Sequence, residues 1–138
     1  MTTNNARILI VDDEEVVRRS HLRVLAGPGC EVDAVRDGDH ALQAMESGAY
    51  DIVLLDLRMP GMDGMSLLQT LKQRWPESEV IIITGYPSVD TAKEAIRLGA
   101  CDYLAKPLAP REVIQAATCA MEQKRWTLHP VGEVAMGA

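Results

Sequence analysis

The chain has no phenylalanine, and aromatic residues make up only 4% of its 138 positions. Its core must therefore be built from Val, Ile, Leu, Met and Ala. No stretch approaches the roughly 18 consecutive apolar residues of a membrane span. The start, "MTTNNARILIV", lacks the basic residues and long apolar run of a secretory leader. Cysteine is scarce as well. Cys30, Cys101 and Cys119 are an odd number with no CxxC spacing, which argues against a disulfide framework or a zinc site and fits a reducing compartment. His21, His40 and His129 are scattered, so no His/Cys metal cluster is visible. Basic residues are in deficit, 14 against 20 acids, for a net charge of -6 and a pI near 5.0. That balance argues against a broad nucleic-acid footprint, which needs clustered Lys and Arg. No GxGxxG follows the first apolar run and no GxxxxGK[ST] occurs, so the loops that cradle nucleotide phosphates are missing. A cytoplasmic protein without direct membrane or nucleic-acid contact is expected.

What is present is alternation. The hydrophobic share of 47% and charged share of 25% are those of a globular protein, and the length suits one domain. "RILIV" (7–11) is a branched apolar run, and "EEVVRRSHLRVLAG" after it reads as a helix with Val17, Leu22 and Leu25 apolar and Gly27 as a stop. "EVDAV" (31–35) alternates like a strand, and "DGDHALQAMESG" (37–48) reads as a short helix closed by Gly48. "DIVLLD" (51–56) and "EVIIIT" (79–84) are continuous apolar runs. Between them "GMSLLQTLKQRW" (64–75) places Met65, Leu68, Leu71 and Lys72 on one helical side. "SVDTAKEAIRLG" (88–99) has Ser88 as N-cap, Val89, Ala92 and Ile96 as a stripe, and Gly99 beyond the end. "CDYLA" (101–105) is a last short strand. "PREVIQAATCAMEQKRW" (110–126) carries Val113, Ile114, Ala117, Ala120 and Met121 at helical spacing behind Pro110. Five βα units imply a doubly wound α/β fold with a parallel sheet covered on both faces. Residues 1–126 are expected to form the domain, and 127–138 a frayed tail or the start of a linker.

In an open α/β sheet, sites form beyond the carboxyl ends of the strands. The first strand runs into Asp12-Asp13, the third ends in Asp56, the fourth in Thr84, and the fifth leads into Lys106-Pro107. The second ends in Val35-Arg36, outside the cluster, which places it at an edge. Taken singly, Asp12-Asp13 could cap a helix, Asp56 could begin a turn, and Lys106 could be a solvated surface lysine. Their joint arrival at four strand ends is what those readings leave unexplained. Two charges about 4 Å apart repel by roughly 4 kcal/mol at an effective dielectric of 20, so three carboxylates need a cation among them. Oxygen-only ligands suit Mg²⁺.

These segments carry a resemblance. "ILIVDDE", "DIVLLDLRMPGMDG", "VIIITGY" and "DYLAKPL", in this order, are similar to the response-regulator receiver domain of bacterial two-component signalling over residues 6 to 125. The resemblance implies a flavodoxin-like (βα)5 fold with five parallel strands in the order 2-1-3-4-5. It also implies roles: Asp56 as phosphoacceptor; Asp12, Asp13, Asp56 and the backbone carbonyl of Arg58 as Mg²⁺ ligands; Lys106 pairing with phosphoryl oxygens; Thr84 hydrogen-bonding the phosphoryl group; Tyr103 as the switch aromatic; and Pro107 following a cis peptide bond. The implied partner is a sensor histidine kinase or phosphotransfer protein, with slow autodephosphorylation resetting the state. The face formed by residues 88–125 would signal to a downstream protein or attached output domain, or form a homodimer. The chain departs from the family pattern at Leu108, where an aromatic often follows Lys-Pro, and at Ala109, a poor helix cap. Arg58 and Tyr86, two residues beyond Asp56 and Thr84, are both large.

The passage "TGYPSVDTAKEAIRLGACDYLAKPL" is similar to receivers that precede ATPase or DNA-binding domains of transcription regulators. Only about a dozen residues follow the last helix, too few for a helix-turn-helix module, so the polypeptide itself is not expected to bind DNA. An aspartate-nucleophile phosphatase is the enzymatic alternative, but it would want an acid where Arg58 stands. A nucleotide- or flavin-binding module lacks its phosphate loop.

Overall fold

A computed structural model describes residues 6–27, 29–59 and 61–128. Strands and helices alternate without exception: β1 (Ala6–Val11), α1 (Glu15–Leu25), β2 (Cys30–Val35), α2 (Gly38–Ser47), β3 (Ile52–Asp56), α3 (Gly64–Arg74), β4 (Glu79–Thr84), α4 (Val89–Arg97), β5 (Asp102–Ala105) and α5 (Pro110–Leu128). All pairings are parallel, in the order β2-β1-β3-β4-β5. The fold is the flavodoxin-like arrangement that the alternation and the resemblance led one to expect.

Side chains alternate along each strand, so one sequence supplies two core layers. Leu9, Val11, Val53, Leu55, Val80 and Ile82 face α2, α3 and α4, where Met45, Leu67, Leu68, Leu71 and Ala95 complete the layer. Ile8, Ile10, Ile52, Leu54, Ile81 and Ile83 face α1 and α5, meeting Leu25, Val113, Ala116, Ala117 and Ala120. Each such Leu or Ile, fully withdrawn from water, contributes about 1.5–3 kcal/mol of transfer free energy. β3 and β4 are buried along their whole length, while β2 and β5 are half-exposed edges. With no phenylalanine, the α5 side relies on Ala116, Ala117 and Ala120, which let that helix lie close on the sheet.

Helix termini follow local chemistry. Asp37 caps α2 by accepting from the His40 N–H at 2.9 Å, and Ser88 caps α4 by accepting from the Thr91 N–H at 3.1 Å. Gly99, at φ 109, takes the left-handed conformation after α4. Ala109 cannot cap α5 with its own side chain. Instead the Glu112 carboxylate reaches back to accept from the Ala109 N–H at 2.8 Å, half of a capping box.

Several expected helix faces need correction. In α1 the buried pair is His21 and Leu25, while Val17 and Leu22 are half-buried. In α3, Leu67 is fully buried and Lys72 only half so. Lys72 lies across the surface to donate to the carbonyls of Pro76 (2.9 Å) and Ser78 (2.8 Å). In α4, Val89 and Ile96 are 69% and 52% exposed, and Ala95 is the buried residue, because the helix rests on β5 through its small side. In α5, Ala116 is buried and Ile114 half-exposed. The helix also continues through Thr127 and Leu128, past the expected boundary at 126. The rest of the expected tail, 129–138, lies outside the described residues, as does Pro60.

Candidate phosphoryl-acceptor site

The parallel register lines up the strand ends that matter. Val11 pairs with Leu55, so Asp12 leaves β1 alongside Asp56 at the end of β3; Thr84 pairs with Ala105, just before Lys106. Asp56 is 5% exposed and Asp12 3%, both sunk into the rim, whereas Asp13 is exposed. Carboxylate oxygens of Asp12, Asp13 and Asp56 lie within 4.8 Å of one another, a set of oxygen donors able to hold a metal ion. Hard oxygen donors with two or three negative charges fit Mg²⁺, which keeps waters as its remaining ligands.

Lys106 is the cation among these acids. Its Nζ lies 2.9 Å from Asp12 Oδ2, 3.2 Å from Asp56 Oδ2 and 3.4 Å from Glu14 Oε1. Burial alone would lower its pKa; hydrogen bonding and attraction to Asp12 and Asp56 outweigh that and push it up to about 12. Asp56 moves the other way for a carboxylate. Burial raises its pKa and the Asp12 charge adds to that, against the lowering effects of the Arg58 N–H and Lys106. Asp56 is thus a carboxylate largely withdrawn from water and held beside one cation.

The loops around the site are fixed by short local contacts. Asp56 Oδ1 accepts from the Arg58 N–H at 3.0 Å, and Asp12 Oδ1 accepts from the Glu14 N–H at 2.9 Å as α1 begins. The Leu57 backbone lies directly against the start of α3 because residue 64 is glycine: a Cβ there would stand 2.6 Å from Leu57 Cα and O. Thr84 is 1% exposed; its Oγ1 accepts from the Tyr86 N–H at 3.1 Å, and its proton has no acceptor among the described residues. The Lys106–Pro107 peptide bond is cis, and the Lys106 N–H donates to Thr84 O at 2.8 Å, tying the ends of β4 and β5 together. Tyr103 sits apart from the acids: its hydroxyl is 2.6 Å from Thr91 Oγ1 and accepts from the Ser88 N–H at 3.2 Å, both at the start of α4.

Asp12, Asp13, Asp56, Thr84 and Lys106 therefore share one rim, Arg58 stands in the adjoining loop, and Tyr103 lies one layer away on β5. Three contacts were not visible in the sequence. Glu14, the third acid of "DDE", reaches Lys106; Arg18 Nη1 donates to the Asp12 carbonyl at 2.8 Å; and the Arg58 guanidinium carbon lies 4.1 Å from the centre of the Tyr86 ring. His21 is buried on the inner face of α1, where desolvation lowers its pKa. Its i, i+4 spacing to Leu25 was the available signal.

The sequence pattern described as the response regulator receiver domain matches residues 8–118. The chain belongs to the response-regulator receiver family. Among curated relatives, the receiver is 41% identical over 107 residues to the DNA-binding transcriptional regulator NtrC of Escherichia coli K12, covering 78% of this chain and 23% of that protein. It is 39% identical over 132 residues to the regulatory protein AtoC of the same organism, covering 94% and 28%. Among solved structures, NtrX from Brucella abortus in complex with ATP superposes with a TM-score of 0.84 at 36% identity, over 89% of this chain and 28% of that one. A CheY-like receiver domain protein from Methanospirillum hungatei JF-1 gives 0.83 at 28% identity, over 87% and 96%. The receiver thus spans about a quarter of the length of these curated relatives. Receivers of this family are signalling domains of two-component response regulators, and phosphorylation switching is their general function. No helix among the described residues is long and apolar enough to cross a membrane.

Proposed function

We propose that this receiver is a phosphorylation-activated switch in which Asp56 takes a phosphoryl group from a phosphohistidine of a sensor histidine kinase or phosphotransfer protein. The observation that carries this reading is the convergence on Asp56. A buried carboxylate ends a central strand, two further acids lie beside it, and Lys106 bonds across the group. Asp12, Asp13, Asp56 and the Arg58 carbonyl would hold Mg²⁺, which when bound supplies positive charge to phosphoryl oxygens.

The chain's own residues do the rest. A carboxylate oxygen of Asp56 attacks phosphorus, the P–N bond to the donor imidazolium, protonated on its other ring nitrogen, breaks with its electron pair going to nitrogen, and neutral imidazole leaves as an acyl phosphate forms. Lys106 is mobile on its four-carbon stem and follows the new charge from Asp56 to the phosphoryl oxygens. Thr84, whose proton has no acceptor at rest, turns to donate to the same group. That withdrawal opens space beside β4 for Tyr103 to leave Thr91 and Ser88 and rotate inward. The face of α4, β5 and α5 changes shape and passes the signal to an attached output domain or a downstream partner. Water attack on the acyl phosphate slowly resets the switch; the receiver turns over no other substrate. The likeness to NtrC and AtoC supports a place in a cytoplasmic transcription regulator longer than this chain, with the receiver reaching at least to the end of α5 at Leu128.

Incubation with Mg²⁺ and acetyl phosphate, followed by intact-mass measurement, tests the reading. Wild type gains one phosphoryl group and Asp56→Ala gains none. A gain that survives Asp56→Ala overturns it.

A further inference from the structure

The loops leaving β3 and β4 repeat one local device. In each, the residue two beyond the strand end donates its N–H to the strand-end side chain: Arg58 to Asp56 Oδ1 at 3.0 Å, and Tyr86 to Thr84 Oγ1 at 3.1 Å. The side chains of these two donors then meet, with the Arg58 guanidinium carbon 4.1 Å from the centre of the Tyr86 ring. Both residues are exposed, Tyr86 to 68%. In a chain with a surplus of acids, the Arg58 guanidinium has no carboxylate or hydrogen-bond acceptor among the described residues; its recorded partner is the ring.

We propose that the Arg58–Tyr86 stack is an autoinhibitory clasp that joins the two loops at rest and keeps Thr84 Oγ1 occupied by the Tyr86 N–H. This rests on the phosphoacceptor reading above. For Thr84 to turn toward a group on Asp56, its oxygen must give up the Tyr86 N–H. That N–H is held in place because the Tyr86 ring is pinned under Arg58. The stack therefore belongs to the resting arrangement and parts in the switched one. A contact present in only one of two states shifts their balance by what the contact is worth. For an exposed cation–π pair this corresponds to a factor of about two to five. The clasp sets a threshold on switching, separate from any shielding of the acyl phosphate against water.

The test titrates the full chain with beryllofluoride in Mg²⁺, an acyl-phosphate mimic, and follows the Thr84, Gly85 and Tyr86 amides by NMR. Wild type, Tyr86→Ala, Arg58→Ala, the double variant and Tyr86→Phe are compared. Tyr86→Ala is expected to bind about two- to fivefold more tightly than wild type. The same substitution made in the Arg58→Ala background should change nothing. Tyr86→Phe, which keeps the ring, should match wild type. Without beryllofluoride or metal, Tyr86→Ala should move the Thr84 and Gly85 signals part-way toward their bound positions. Equal effects of Tyr86→Ala with and without Arg58, or no tightening at all, overturn the clasp alone. Failure of wild type and every variant to bind beryllofluoride overturns the phosphoacceptor reading and the clasp with it.

Discussion

The two ends of the same sheet treat charge in opposite ways. At the amino end, polar groups are paired off. Arg7 Nη1 donates to the carbonyls of Gly48 (3.1 Å) and Ala49 (3.0 Å), its Nε to Glu31 (2.8 Å), and its guanidinium carbon lies 4.4 Å from the Tyr50 ring centre. The Tyr50 hydroxyl donates to Asp33 at 2.7 Å, and the Ser78 hydroxyl to the Tyr50 carbonyl at 2.5 Å. Burial, with the Asp33 bond, pushes the Tyr50 phenol up to about 12, so it stays a donor across the physiological range. At the carboxyl end, one ammonium serves three carboxylates, and a buried threonine proton has no acceptor among the described residues. Both ends combine a cation, acids and a hydroxyl group. The difference lies in satisfaction: the closed network holds the fold, and the open one is, on the proposed reading, where a metal ion and a phosphoryl group would find their partners.

Removing the cation at the open end should have the largest effect. Lys106→Ala leaves Asp12 and Asp56 buried without a counter-charge and is expected to cost on the order of 3 kcal/mol at pH 7, read by urea unfolding. Because the folded pKa of Lys106 lies above its ordinary value, the wild-type contribution is full below about pH 10.5 and is lost as pH rises through about 12. A variant as stable as wild type at pH 7 would mean that the acids are not held together by Lys106.

A smaller effect is expected at the closed end. Tyr50→Phe removes the bond to Asp33 and should cost about 0.5–1.5 kcal/mol while leaving phosphoryl uptake unchanged. If uptake fell with stability, the two ends would not be independent.

The smallest effect has the opposite sign. Asp56 has a raised folded pKa, so its ionisation works against folding: the penalty is absent below the ordinary carboxylate pKa and grows as pH rises through the folded one. Asp56→Asn removes it and should raise the neutral-pH Tm by roughly 2–5 °C, with the gain vanishing in acid. A lowered Tm would show that the pairing with Lys106 outweighs burial.

Much of this contrast was legible in the sequence. Continuous apolar runs ending in Asp56 and Thr84, with Asp12 and Lys106 just beyond two others, place the rim by topology alone, since parallel strands bring their carboxyl ends together. What stayed hidden depends on side-chain direction and on contacts across loops. Val89 and Ile96 promised a packed stripe on α4, yet Ala95 is the residue that meets the core, because the edge strand β5 leaves that helix little to cover. His21 breaks the rule that buried positions are apolar, so a hydrophobic pattern passes over it. The Arg58–Tyr86 stack joins residues 28 apart through a ring and a cation that no periodicity connects. At Ala109 the half of a capping box that remains comes from three residues downstream, where Glu112 accepts from the Ala109 N–H.

The central claim is that the open end exists to carry a phosphoryl group on Asp56. The most direct measurement locates that group: the protein is incubated with Mg²⁺ and acetyl phosphate, reduced with borohydride, and digested for peptide mass analysis. Borohydride converts an aspartyl phosphate into homoserine. Homoserine at position 56, absent without Mg²⁺, is the predicted result. Homoserine at Asp12, Asp13 or any other acid, with Asp56 unchanged, would contradict the account.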